Sequence, residues 1–132
     1  MPVSLVAISL GAALGAISRW LLGEALNSIH PAIPMGTLAA NLIGGYIIGL
    51  AMSFLAVLPE LSPNWRLFIV TGFLGALTTF STFSAGVGKL IQQERYWLAA
   101  IETALHVCGS VAMFFLGIGT FVLFKAIFTR GC

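Results

Sequence analysis

The segment Gly72–Gly86 reads GFLGALTTFSTFSAG and interleaves Phe80 and Phe83 with the hydroxyls of Thr78, Thr79, Ser81, Thr82 and Ser84. On a helix, residues three apart are neighbours, so Phe80 and Phe83 share one side and Ser81 and Ser84 an adjoining one. An aromatic ring carries a negative face and a positive edge. Ring edges can therefore receive a small anion while hydroxyls and amides donate hydrogen bonds to it. The structural alternative is that the rings pack and the hydroxyls bond back to carbonyls of their own helix.

Other polar residues could take part. Asn41 is an amide within an apolar segment, and its NH2 either donates to an anion or ties two helices together. Arg19 is a cation near the end of another such segment, placed either to snorkel to the interface or to draw anions into a vestibule. Glu102, His106 and Ser110 follow one another at four-residue spacing. His106 could titrate or line a path, Ser110 could donate, and Glu102, about one turn in from the interface, reads as solvated. Paired carboxylates, a nucleophile with its base, and a metal-ligand cluster are missing from the apolar segments, which argues against an enzyme.

These residues must be held by membrane helices. The 132 residues are 59% hydrophobic and 8% charged, with a mean hydropathy of +1.05. So little polar surface excludes a water-soluble domain. The net charge of +2 is too small to suggest a nucleic-acid partner. A span needs about 20 mostly apolar residues. Four stretches qualify, at about Val3–Leu22, Met35–Leu58, Leu67–Leu90 and Trp97–Phe124, and together they form one all-α transmembrane domain. The first is expected to be a retained span, since no Lys or Arg precedes it and the apolar run continues to Arg19 and Trp20. Pro31, Pro34, Pro59 and Pro63 fall between spans, and Trp20, Trp65, Tyr96 and Trp97 fall near span ends. Gly72 and Gly75, with the hydroxyls beside them, predict irregular backbone midway along the third span, which is tolerated only against protein or a wet cavity. Gly11 and Gly15, and Gly45 and Gly49, mark close helix approach. Cys108 reads as a buried thiol and Cys132 as a tail thiol, with no disulfide framework.

Orientation is poorly specified. Both termini share a side with Arg66, while the other side receives Lys89 and Arg95, and Arg19 if it reaches the interface. With Lys125 and Arg130 added to the first side, the positive-inside rule has almost nothing to act on. Either both orientations insert, with an antiparallel dimer as the natural assembly, or weak cues select one.

The chain resembles the small fluoride-channel family called Fluc or CrcB. The likeness rests on Gly15 and Arg19-Trp20, on Gly36-Thr37-Leu38 leading to Asn41-Leu42, on Thr71-Gly72 followed by Gly75 and Leu77-Thr78-Thr79-Phe80-Ser81-Thr82-Phe83-Ser84, and on Gly109-Ser110. The resemblance implies a multi-pass protein of the bacterial plasma membrane that exports fluoride passively and limits its toxicity. It also implies a dual-topology antiparallel homodimer with two pores. Phe80 and Phe83 would line those pores with ring edges toward fluoride. Asn41 would donate to the ion, and Ser81, Thr82, Ser84 and Ser110 would form a polar track. Arg19 would stand by the vestibule, with His106 grouped beside it. A break in the third span would place the carbonyls of Gly75 and Thr78 at the dimer centre, where both chains would bind one structural sodium ion. Two positions depart from the pattern: Gly86 stands where many members carry Glu, and Ala76 replaces the second Gly of a usual pair.

Two readings of other classes remain. A dual-topology, proton-coupled exporter of small organic cations fits the size and the balanced charge, but it would need a deep carboxylate where Arg19 stands. A structural subunit would use the same polar residues only to pack helices.

Overall fold

In a computed structural model, residues 1–131 are described; the tail thiol of Cys132 lies outside them. The chain is all helical: α1 (Pro2–Leu26), α2 (Met35–Ala56), α3 (Pro63–Arg66), a π-helical stretch (Leu67–Leu74), α4 (Gly75–Leu77), α5 (Ser81–Gln92) and α6 (Tyr96–Arg130). Among the described residues, four helical stretches are long and apolar enough to cross a membrane: α1, α2, the interrupted Pro63–Gln92, and α6. Helix α6 is longer than a span requires, since its 35 residues reach roughly 52 Å against a hydrocarbon core of about 30 Å.

Two glycine-laced seams hold the helices together. In one, Gly11 and Gly15 of α1 lie against the third span; a Cβ on Gly11 would strike the Phe68 carbonyl, and one on Gly15 the Phe73 carbonyl. Gly72 answers from the other side, where a Cβ would come within 2.6 Å of the Ile8 carbonyl. In the other seam, a Cβ on Gly45 would lie 2.7 Å from the Ser110 carbonyl, and Gly49 and Gly117 meet the Phe114 and Tyr46 carbonyls across the α2–α6 contact. Missing side chains let backbones approach where hydrocarbon offers no hydrophobic drive for association. Ala40, Leu74 and Leu77 form the buried centre between the seams.

The third span is irregular in two ways. Leu67–Leu74 winds as a π-helix, a form often found beside functional sites. Thr78 then turns to an extended conformation (φ −85°, ψ 156°), and the helix restarts at Ser81.

The helix bounds differ from expectation at the ends. Helix α1 continues to Leu26, and α2 stops at Ala56. Cys108 is exposed, not buried as its apolar surroundings suggested, because it sits on the outer side of α6. Glu102, expected to be solvated, is fully buried (0% exposed), because α5 packs over it at Gly86.

Candidate functional site

A broken helix strands backbone groups, and Asn41 receives them. Its Oδ1 accepts from the Thr79 N–H at 2.8 Å, and its Nδ2 donates to the Thr79 carbonyl at 3.0 Å. The side-chain amide thus pairs with both polar groups of one peptide residue at the interruption. The second Nδ2 hydrogen is directed at His106 Nδ1, 2.9 Å away. Thr79 also starts the next helix: its Oγ1 accepts from the Thr82 N–H at 3.1 Å and lies 3.3 Å from Ser81 Oγ.

The break has a second consequence. In a continuous helix the Thr79 and Thr82 N–H groups would serve the carbonyls of Gly75 and Thr78. Here they go to Asn41 Oδ1 and Thr79 Oγ1. The Gly75 and Thr78 oxygens therefore lose their helical donors, and both residues border open space.

That space is a groove of about 450 Å³, lined by Asn41, Thr78, Thr79, Phe80, Phe83 and Ser110 among others, with His106 in its wall. None of the described residues lining it is acidic. Phe80 and Phe83 meet edge to face, their centroids 5.5 Å apart. Phe83 is 6% exposed and stacks on the His106 ring at 4.5 Å, whereas Phe80 is 76% exposed. His106, grouped with Arg19 in the sequence reading, thus lies with Asn41 and Phe83.

The remaining hydroxyls are placed differently. Ser81 and Ser84 are exposed on α5 and do not line the groove. Thr82 borders a separate cavity of about 320 Å³ with Arg19, Trp20 and Thr37. There Arg19 Nε donates to the Ala76 carbonyl at 3.0 Å, so the cation tethers α1 to the segment just before the break. A third cavity, of about 330 Å³, is bordered by His30, Lys89, Arg95 and Gly86.

Thr79 and Ala76 were not among the expected site residues: Ala76 acts through its carbonyl, and Thr79 through its backbone N–H and carbonyl as well as its Oγ1. One signal was available for Thr79: a deep amide and a helix interruption in one chain each need the partners the other offers.

The fold and this groove define a small multi-pass membrane protein whose third span is interrupted beside a largely apolar groove that carries a few neutral polar groups. The profile of the family described as CrcB-like protein, Camphor Resistance (CrcB), matches residues 6–118. The chain belongs to the CrcB family. A protein of Chromohalobacter salexigens named fluoride-specific ion channel FluC is 60% identical over 125 residues, covering 95% of this chain and 95% of its own. Proteins of the same name from Tolumonas auensis and Desulfovibrio desulfuricans are 56% and 54% identical, covering 95% of this chain and 98% and 97% of theirs.

Proposed function

We propose that this chain is a passive fluoride channel of the bacterial plasma membrane, which exports fluoride from the cytoplasm and limits its toxicity. The observation that carries this reading is the groove itself. The Phe80–Phe83 pair, Asn41 and Ser110 border one non-acidic space beside a broken helix, in a chain whose relatives are named for fluoride. Positive ring edges and neutral donors favour a small, strongly hydrogen-bond-accepting anion. Among the described residues, no carboxylate stands in the groove to drive proton-coupled export of a cation, and Glu102 has no exposed surface.

The working unit in this proposal is an antiparallel, dual-topology homodimer with two pores. Support comes from the exposed Phe80 and from a groove whose few polar groups would be costly against lipid and would be covered by a second copy. The near-balanced distribution of Lys and Arg agrees with insertion in both directions. Ser81 and Ser84, exposed in one chain, would complete the polar track against that second copy, while Arg19 and Thr82 would form the vestibule.

The Gly75 and Thr78 carbonyls suit a structural sodium ion shared by two copies. They are neutral oxygens deprived of helical donors, and a hard cation takes such ligands. The ion would hold the two broken helices together.

Phe80→Ile tests the pore. It removes the ring edge while keeping an apolar side chain, so fluoride efflux from proteoliposomes should drop at least tenfold with the dimer intact on size exclusion. Efflux equal to the unaltered protein would remove Phe80 from the path.

A further inference from the structure

A polar chain begins at Asn41 and His106 in the wall of the groove and extends beyond the residues the channel reading uses. It runs from Thr79 through Asn41 and His106 to Glu102, linking the broken helix to α6. Asn41 cannot be flipped end for end, because Thr79 supplies one donor and one acceptor to it. The group facing His106 Nδ1 is therefore the amide NH2, at 2.9 Å. Nδ1 must accept, so the neutral ring carries its hydrogen on Nε2. Nε2 lies 3.9 Å from Glu102 Oε1, beyond a hydrogen bond but within ion-pair reach. Neither Glu102 oxygen nor His106 Nε2 has a hydrogen-bond partner among the described residues, although both side chains are buried (His106 4% exposed). Three buried polar atoms with no partner call for an explanation.

The same geometry accounts for Asn41. With His106 neutral, one Asn41 hydrogen serves the Thr79 carbonyl and the other serves Nδ1, so none is left for an anion. With His106 protonated, Nδ1 becomes a donor and can no longer accept. The Asn41 hydrogen is released, and the imidazolium N–H joins it at the groove wall, where a charge-assisted bond to an anion is stronger than a neutral one. Glu102, on the far side of the ring, would supply the opposite charge.

We infer that Glu102 is a positioning residue for the anion path, acting through His106 to determine whether Asn41 offers a hydrogen to the ion. The inference rests on the fluoride-channel reading. Few other groups compete. From α5, Phe83 and Gly86 face the pair, and a Cβ on Gly86 would come within 3.0 Å of Glu102 Oε1. From α2 comes Asn41. Lys89 of α5, Arg95 before α6 and His30 of the α1–α2 connection border the adjoining cavity at Gly86, and no Lys or Arg nitrogen among the described residues lies within 4.0 Å of the carboxylate. Arg19 is engaged at Ala76 in a different cavity.

The experiment is fluoride efflux against pH, with protein-free vesicles at every pH to subtract passage of HF through lipid. Unaltered protein should conduct faster as pH falls. Glu102→Gln keeps an acceptor but removes the charge, and should move that rise to lower pH. His106→Phe keeps the stack on Phe83 and should conduct without a rise. A flat profile in conducting unaltered protein, or superimposed profiles for it and Glu102→Gln, would overturn the inference. A second measurement needs no flux and no stable Glu102 variant: nitrogen-15 spectra of histidine-labelled protein in lipid, with His106 assigned by its loss in His106→Phe. At a pH above the rise, a neutral ring with its hydrogen on Nε2 and a bare Nδ1 is expected, and a neutral ring with its hydrogen on Nδ1 would overturn the inference. Absence of fluoride flux from unaltered protein at every pH would defeat the channel reading instead, and the nitrogen-15 spectrum would still decide the state of the pair.

Discussion

Replacing Asn41 with Ala removes three hydrogen bonds at once and leaves the Thr79 N–H and carbonyl without their partner. An unpaired buried backbone group costs about 1 to 3 kcal/mol. Thr79 is half-buried, which favours the lower end, so two such groups give a loss of about 2 to 3 kcal/mol. A single interhelical hydrogen bond in a membrane protein averages only about 0.6 kcal/mol. The difference separates an amide that substitutes for helix backbone from one that merely ties two helices. The assay is reversible unfolding from mixed micelles by increasing the fraction of denaturing detergent, followed by tryptophan fluorescence. Asn41→Asp is the companion variant. Its carboxylate can still accept from the Thr79 N–H but has no hydrogen for the Thr79 carbonyl or His106, so it should be at least as destabilising. A loss below about 0.6 kcal/mol for Asn41→Ala would refute the reasoning, because the break would then not depend on the amide.

The glycine seam and the proposed ion yield two further expectations. Gly15→Leu should abolish a folded, extractable protein, since its Cβ alone strikes the Phe73 carbonyl, whereas Gly88→Ala, with nothing within 4 Å, should be neutral or slightly stabilising by helix propensity; thermal stability in detergent compares them. If sodium holds the Gly75 and Thr78 carbonyls of two copies, exchanging sodium for a bulky organic cation during long dialysis should weaken the dimer and lower fluoride flux, and readdition should restore both. A dimer and a flux indifferent to sodium would remove the ion from the account.

The spans and the break were legible because apolar length and misplaced polar residues are local properties of the chain. Phe80 and Phe83 were legible for the same reason, as three-residue neighbours that do meet. Partners across the bundle were not. Arg19 could snorkel or serve a vestibule, and nothing local shows that it reaches the Ala76 carbonyl. Glu102 looked solvated from its distance to the span end, but whether a carboxylate is wet depends on the helix covering it, and α5 does so where Gly86 leaves room. Cys108 misled in the opposite way: an apolar neighbourhood in a membrane helix describes the outside as well as the inside. The exposed Ser81 and Ser84 acquire a role only if a second copy covers α5, which a single chain's pattern does not reveal.

The most direct measurement is fluoride loss from liposomes holding the purified protein, read with a fluoride electrode, with chloride loss followed in parallel. Rapid fluoride loss that requires only a charge-balancing ionophore, with chloride retained, is the predicted result. Fluoride retained by vesicles containing folded, dimeric protein, or chloride lost as quickly as fluoride, would contradict a fluoride-selective path through the groove.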